Sequence, residues 1–316
     1  MSELRHDLLT GRLVLLAPGR AARPRTNAEV VSRARPTSDC PFCPGHEHQT
    51  PPEVARSGPG DADTPGWRVR VVPNLYPIVG GDAPGPGATG AHEVVILSPA
   101  HDATFGDLDD DQAVDVLTML RERARAHAAT GRAYSQILIN EGRPAGASIE
   151  HPHAQVLALD FVPPAVTVAV ERFAALGSDP VVGDREDALA CDQGVIVGDE
   201  VSAWCPTGAA APYETRLAVL GAGARFEDAT DGQVLGTAIV LRDVLARLAR
   251  ALDSAESRVP YNVVLNSGPA LEEVGYHWWI GIVPRVGVVA GFEMGTAILV
   301  NTVDPHDAAR TLRGGA

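Results

Sequence analysis

Apolar and polar residues follow one another along the chain with spacings that predict a mixture of strands and helices. Short alternating or apolar runs predict strands at Leu13–Ala17, Arg68–Val72, His92–Pro99 and Tyr134–Asn140. A long helix is predicted over Asp107–Gly131, because aspartates favour a helix start, a glycine suits its end and apolar residues recur at helical spacing between them. The Gly/Pro-rich stretch Gly80–Gly90 is expected to form a flexible surface loop.

The pattern begins again after Pro163 and Pro164. It predicts a strand at Tyr213–Leu220, a helix from about Gly232 to Leu252 and a strand at Tyr261–Asn266. The spacing agrees as well, since Asn140 precedes His151 by 11 positions and Asn266 precedes His277 by 11. We therefore predict two structurally related halves, residues 1–163 and 164–316.

One polar motif opens the last predicted strand of the first half. Residues 146–155 read Gly-Ala-Ser-Ile-Glu-His-Pro-His-Ala-Gln, and an apolar run follows. His151, His153 and Gln155 are spaced to lie on one face of a sheet. In the second half, Trp279 takes the place of His153 and Gly281 that of Gln155. Only the first half carries the full set of polar groups.

Charge and composition narrow the class of partner. The formal net charge of −14 argues against nucleic acid or an anionic membrane as the ligand, because both would be repelled. All 26 basic residues are arginine, which excludes a Schiff-base lysine, a pyridoxal-phosphate anchor and a P-loop lysine. Arg20, Arg23 and Arg25 are clustered either as solvated loop charges or as an anion clamp. With no signal peptide or membrane span in sight, we expect a cytoplasmic protein.

A Cys-x-x-Cys pair at Cys40 and Cys43 has the spacing of a zinc knuckle. A redox dithiol is the alternative, although no helix is predicted after Cys43 to stabilise a thiolate. Zinc needs two further ligands, and His101 and His151 are the best candidates. Such a closed site would be structural.

His153 is then the candidate nucleophile, since a neutral imidazole needs no separate base. Phosphorus is the plausible electrophile, with Gln155, Ser148 and the backbone N–H groups of residues 146–148 as donors to the phosphoryl oxygens. In so tight a turn, a backbone carbonyl can hold the other ring nitrogen of His153. The alternative is a zinc site that uses both His151 and His153, with no nucleophile.

These motifs together resemble the galactose-1-phosphate uridylyltransferase family of the histidine-triad superfamily, over nearly the whole chain. The matching segments, in the family's order, are Leu9–Arg12 with Pro18–Pro24, Cys40–Gly45, Pro73–Pro77, His92–Val94, Ser98–His101, the His-Pro-His-x-Gln motif and Ala290–Gly295.

The resemblance implies an α+β fold in which each half is an antiparallel sheet packed with helices. It implies that His153 attacks the α-phosphate of a nucleoside diphosphate sugar, and that a sugar 1-phosphate then takes the nucleotidyl group. The implied zinc ligands are Cys40, Cys43, His101 and His151. The implied contacts of nucleotide, phosphate or hexose are Arg20, Arg23, Asn74, Asn140, Ser148, Gln155 and Glu293. It further implies a homodimer in which Arg20 and Arg23 act in the partner's site.

The chain departs from the family in its second half. Relatives often carry a histidine where Trp279 stands and another near Asn266, so we expect no second metal. Residues 286–289 also lack a basic residue that some relatives place before the glutamate.

The leading hypothesis is therefore uridylyl transfer between UDP-glucose and galactose 1-phosphate. One alternative keeps the histidine intermediate but uses another base, another sugar phosphate, phosphate or water. A zinc-stabilised binding protein is another, although a binder has no need of both His153 and Gln155.

Overall fold

A computed structural model describes residues 2–18, 31–32, 39–80, 89–254, 257–270 and 275–314. Arg20, Arg23, Arg25 and most of the predicted loop at Gly80–Gly90 lie outside these residues. The strands are β1 (Glu3–His6), β2 (Leu13–Leu16), β3 (Val31–Ser32), β4 (Ala55–Ser57), β5 (Val69–Pro73), β6 (Gly90–Ile96), β7 (Tyr134–Glu141), β8 (His153–Leu159), β9 (Gly194–Ile196), β10 (Val201–Trp204), β11 (Thr215–Val219), β12 (Ser257–Arg258), β13 (Tyr261–Asn266), β14 (Trp279–Pro284) and β15 (Leu299–Asn301). The helices are α1 (Asp110–Ala129), α2 (Pro164–Leu176), α3 (Pro180–Ala190), α4 (Asp231–Leu252), α5 (Gly291–Thr296) and α6 (Pro305–Leu312).

Ten strands form one antiparallel sheet in the order β4-β5-β6-β8-β7-β13-β14-β11-β10-β9. We call β5, β6, α1, β7 and β8 the first repeat, and β10, β11, α4, β13 and β14 the second. The two repeats meet where β7 pairs with β13, and Asn140 lies opposite Asn262 at this junction. The predicted α+β architecture with two related halves is confirmed, while the boundary at residue 163 stays a prediction.

The two long helices cover one face of this sheet. The carboxylate of Asp109 accepts the backbone N–H of Gln112 at the start of α1, and Thr230 caps α4 in the same way. Between helices and sheet lies a continuous apolar core that includes Leu117, Leu120, Ile137, Leu245 and Val263. The packing fixes the orientation of β7 and β8, whose alternate residues face the opposite side.

On that opposite side, the second repeat is covered by other segments. The β1–β2 hairpin forms a small sheet with β15, and Leu9 packs with Phe173 of α2, Val181 of α3 and Trp279. The first repeat carries the knuckle at residues 40–43 there instead. Among the described residues, no helix has both the length and the apolar character that crossing a membrane requires.

Candidate active site and metal centre

A tight turn delivers the motif strand to the sheet. After β7, Gly142 and Gly146 adopt φ values of +80° and +96°, a region that favours glycine, and a single 3₁₀ turn at Arg143–Ala145 lies between them. His151 precedes the strand, and β8 begins at His153. The sequence therefore places two histidines at the entry of a buried strand, where their backbone geometry is fixed.

The four predicted metal ligands come together. One ligand atom each from Cys40, Cys43, His101 and His151 lies within 4.8 Å of all the others. His151 Nδ1 is 3.6 Å from Cys40 Sγ, 3.7 Å from Cys43 Sγ and 3.3 Å from His101 Nδ1. A tetrahedral zinc ion needs ligand atoms about 3.3–3.8 Å apart, given bonds of about 2.1 Å to nitrogen and 2.3 Å to sulfur. The cluster therefore has the donor set and the dimensions of a metal site.

Neighbouring groups hold the cluster in place. His151 Nε2 donates to the carbonyl of Ser98 at 2.8 Å, which leaves Nδ1 with a lone pair facing the cysteines. The carboxylate of Glu47 accepts the indole N–H of Trp67 and the backbone N–H of Gly45, which fixes the knuckle. Sequence reasoning did not find these supports, because Ser98 acts through its backbone and Glu47 carries no motif.

His153 does not belong to the metal cluster. Its Nδ1 donates to the carbonyl of His151 at 2.8 Å, so the lone pair is on Nε2. Burial lowers the pKa of His153, and the hydrogen bond to His151 offsets this only in part. The ring is 7% exposed, with Phe42 edge-on at 5.5 Å between centroids. This is the arrangement of a neutral imidazole with one nitrogen available as a nucleophile, which argues against a zinc site that uses both histidines.

A buried histidine connects two of the predicted binding residues. His92 Nε2 lies 2.8 Å from the side-chain oxygen of Gln155 and 3.1 Å from the side-chain nitrogen of Asn74. Burial lowers the pKa of His92, although the hydrogen bond to Gln155 opposes this. His92 shares the face of Gln155, because Val94 lies opposite Gln155 and His92 is two residues from Val94. This register is visible only in the structure, so the sequence did not predict the role of His92.

Asn140 lies on this side of the sheet too, and Ser148 lies in the turn that leads to it. Leu138 of β7 pairs with Gln155 of β8, and continuing this register places Asn140 opposite His153. Directly opposed residues project from the same face with Cβ atoms about 5 Å apart. Ser148 is exposed in the turn before His151. The N–H groups of Gly146 and Ala147, expected as phosphate donors, instead donate to the carbonyls of Arg143 and Gly142 within this turn. His153, Gln155, Asn74 and Asn140 are thus brought to one face.

Glu293 lies elsewhere. It is in α5, where its carboxylate accepts the backbone N–H of Ala290 at 3.0 Å. It lines a cavity of about 70 Å³ with Arg285, Val288 and Leu299, and none of the residues lining that cavity comes from the motif strand. The structure places Glu293 in this cavity rather than beside His153.

Comparison with known proteins shows which family the chain resembles. Residues 84–163 match the family model described as galactose-1-phosphate uridyl transferase, N-terminal domain. An ADP-glucose phosphorylase of Arabidopsis thaliana is 31% identical over 98% of this chain and 92% of its own length. A galactose-1-phosphate uridylyltransferase of Streptomyces lividans is 31% identical over 68% of this chain and 56% of its own.

A solved structure is similar over the full length. The crystal structure of an ADP-glucose phosphorylase from Arabidopsis thaliana with bound ADP-glucose superposes with a TM-score of 0.85, covering 100% of both chains at 28% identity. The similarity extends through both repeats and includes the motif strand. The chain is an enzyme of the galactose-1-phosphate uridylyltransferase family.

Proposed function

We propose that this enzyme transfers a nucleotidyl group from a nucleoside diphosphate hexose through a covalent intermediate on His153. The observation that carries the proposal is the bonding of His153, whose Nδ1 donates to the His151 carbonyl and whose Nε2 keeps its lone pair. A structural histidine has no need of such an arrangement next to a complete set of metal ligands.

The proposed reaction has two displacements at one phosphorus atom. His153 Nε2 attacks the α-phosphorus, so an N–P bond forms as the P–O bond to the hexose 1-phosphate breaks. An oxygen of the acceptor then attacks the same phosphorus and breaks the N–P bond, which returns the neutral imidazole. In this reaction the amide N–H groups of Gln155 and Asn140, and the hydroxyl of Ser148, would donate to the phosphoryl oxygens as charge develops.

Orthophosphate is the acceptor that we favour. The near full-length similarity to proteins named ADP-glucose phosphorylase supports this choice, because it spans both repeats. With ADP-glucose as donor, the products would be glucose 1-phosphate and ADP. Uridylyl transfer between UDP-glucose and galactose 1-phosphate is the second candidate, and the match of residues 84–163 to the transferase family model supports it.

We propose that zinc binds at Cys40, Cys43, His101 and His151 and acts structurally. The four-ligand donor set supports this, since a closed tetrahedron leaves no position for substrate. Bound there, the ion supplies a cross-link between the knuckle and the motif strand. The turns that follow Cys43 lead into a 3₁₀ helix at Glu47–Gln49, so no helix start faces the sulfur as a redox dithiol would require.

A homodimer remains part of the proposal. Exposed apolar side chains support it, among them Tyr76 and Ile78 after β5 and Val288 and Met294 around α5, at 82%, 72%, 82% and 74% exposure. A dimer would also allow Glu293 and the arginines at 20 and 23 to act in the partner's site. Light scattering that finds only monomers at the concentration of the assay would contradict the proposed homodimer.

Half-reactions test the function and separate the candidates. The enzyme is mixed with ADP-glucose or UDP-glucose, and release of glucose 1-phosphate is measured before and after phosphate or galactose 1-phosphate is added. We expect one equivalent to be released from ADP-glucose in the first step, and ADP to form only with phosphate. Transfer of the uridylyl group to galactose 1-phosphate, with no transfer to phosphate, would select the second candidate. Release that requires donor and acceptor together would contradict a covalent intermediate.

A further inference from the structure

We propose that Asn262, a residue of the second repeat, is a positioning residue for the first repeat's active site. It would act by fixing the orientation of the Asn140 side-chain amide. This inference rests on the proposed function, in which Asn140 donates to the phosphoryl group.

A row of directly opposed residues connects the two repeats across the sheet. Continuing the β7–β8 register places His153 opposite Asn140, and Asn140 is opposite Asn262 in β13. Opposed residues in an antiparallel sheet share a face. The side chain of Asn262 is therefore next to that of Asn140 on the side where His153 lies.

The hydrogen bonds determine which way each amide points. The side-chain nitrogen of Asn262 lies 2.7 Å from the backbone carbonyl of Ala145 and 2.7 Å from the side-chain oxygen of Asn140. The Ala145 carbonyl can only accept, so the Asn262 atom facing it must be the NH₂ group. The Asn140 atom that meets the same NH₂ group must then be its oxygen.

This leaves the Asn140 NH₂ group directed away from Asn262. It lies beside Gly146, where a Cβ built on that glycine would be 3.6 Å from the Asn140 nitrogen. That position is at the turn that leads into the motif strand, which begins at His153. Asn262 thus turns Asn140 into a donor rather than an acceptor towards an anion.

The second repeat contains the equivalent row without this bond. Trp279 is opposite Asn266, and continuing the β7–β13 register places Gln136 opposite Asn266. Gln136 donates to the Leu265 carbonyl at 2.9 Å, and Asn266 donates to the carbonyl of Val264 at 3.2 Å. In the row that contains His153, the Asn140 amide is therefore fixed by a side chain of the neighbouring strand. In the row that contains Trp279, the Asn266 and Gln136 amides bond to backbone carbonyls instead.

The test is a double-mutant cycle on the rate of covalent labelling at saturating ADP-glucose. We expect Asn140→Ala to slow labelling about 10²-fold, the effect of losing one oriented donor. Asn262→Asp is nearly isosteric, but its carboxylate attracts the Asn140 NH₂ group and so turns the oxygen towards the phosphate. We expect this variant to slow labelling at least about tenfold at saturation, with a smaller change in the half-saturating concentration.

The double variant distinguishes positioning from a general structural role. If Asn262 acts through Asn140, adding Asn262→Asp to Asn140→Ala causes no further loss. Gln136→Leu is the matched control, since it alters the counterpart residue at the same strand junction and should leave the labelling rate within about twofold. Thermal unfolding confirms that each variant is folded, and Asn262→Ser replaces Asn262→Asp if the latter is not.

Additive losses, or labelling of Asn262→Asp at the wild-type rate, would overturn this inference while the proposed function stands. A wild-type protein that is never labelled would overturn both.

Discussion

The two repeats pair their strands in the same register. On the same face of the sheet, however, different side chains line the first and the second repeat. In the first, His151 lies in a metal-ligand cluster and His153 presents a free ring nitrogen. In the second, the matching positions are His277 and Trp279. The backbone arrangement is the same in both repeats, and they differ in the side chains that neighbouring segments pack against it.

The two entry histidines show how one position serves different partners. His151 and His277 each donate Nε2–H to a backbone carbonyl at 2.8 Å, that of Ser98 or of Val219. His151 Nδ1 then faces two cysteines, whereas His277 Nδ1 is 2.6 Å from the carboxylate of Asp179. In the second repeat, a carboxylate takes the place that a metal ion would have in the first.

The nucleophile position shows the larger difference. Trp279 is packed against Arg216, whose guanidinium carbon is 5.0 Å from the ring centroid. Arg216 is fully buried and paired with Asp7 and with Asp184. Gly281 replaces Gln155, and a Cβ there would come within 3.2 Å of the Trp279 ring. An active site needs space and groups with unused donors, and the second repeat has filled that space and paired those charges.

The largest expected effect comes from the nucleophile. His153→Ala should lower turnover at least about 10⁴-fold, because it removes the imidazole proposed to form the covalent intermediate. Trp279→Phe, at the matching position, should keep turnover within about threefold and lower the melting temperature. Steady-state assays and thermal unfolding measure both. Residual turnover above about 1% in His153→Ala would show that the reaction does not need this residue.

The second-largest effect is expected at the metal cluster, which contains His151 but has no counterpart around His277 among the described residues. Cys43→Ser is expected to lose about one metal ion per chain and to be strongly destabilised, because the site cross-links two segments. Cys191→Ser, which changes an exposed cysteine outside the cluster, is the control. Metal analysis and chemical denaturation measure the two effects. Unchanged metal content in Cys43→Ser would contradict the assignment.

The third-largest effect is expected when the buried ion pairs of Arg216 are removed. Arg216→Met leaves Asp7 and Asp184 buried without their cation, so we expect a loss of about 3–5 kcal/mol of unfolding free energy. Arg242→Met removes a partly exposed surface pair with Asp110 and should cost under about 1 kcal/mol. Urea denaturation measures both, and equal losses would contradict the distinction.

The ion pair between Asp7 and Arg216 also predicts that the free energy of unfolding depends on pH. Burial raises the pKa of Asp7, but pairing with Arg216 and hydrogen bonds from Thr10 together outweigh it, so the net pKa is below its ordinary value of 3.8. Stability from the pair is therefore present above pH 3.8 and lost as pH falls through the lower folded value. The stability difference between the wild type and Arg216→Met should shrink on acidification below pH 3.8. A constant difference across that range would exclude the pair as its source.

The smallest effect is expected at Asp179. Asp179→Asn keeps an oxygen for the N–H groups at the start of α3 but loses the charged partner of His277, at a cost of about 1.5–3 kcal/mol. Asp109→Asn alters a helix cap with no histidine partner and should change stability by under about 0.5 kcal/mol. Denaturation curves compare them, and equal effects would show that His277 gains nothing from the carboxylate.

Periodicity and capping predicted the elements that face the core on one side. The helix expected to span about Gly232–Leu252 is α4 at Asp231–Leu252, and the strand expected at Tyr261–Asn266 has those bounds. Helices α2 and α3 were not predicted. Val168 in α2 is 59% exposed, so its apolar residues do not mark a buried face.

The site was predictable where spacing along the chain determines it. Cys40 and Cys43 are local, and the repeat separated the role of His151 from that of His153. The roles of His92 and Asn262 depend on which strands are neighbours and in which register, and a single strand's sequence does not contain that information. For the same reason, the position of Glu293 in a cavity apart from the motif strand could not be predicted from the sequence.

Locating the covalent nucleotide on the chain is the strongest test of whether His153 is the nucleophile. The enzyme is mixed with ADP-glucose or UDP-glucose, quenched in alkali to preserve a phosphorus–nitrogen bond, digested and analysed by mass spectrometry. We predict one nucleotidyl group on His153, none on His151 or His277, and its loss when the acceptor is added. A nucleotide on a different residue, or no adduct from either donor, would contradict the proposed role of His153 as nucleophile.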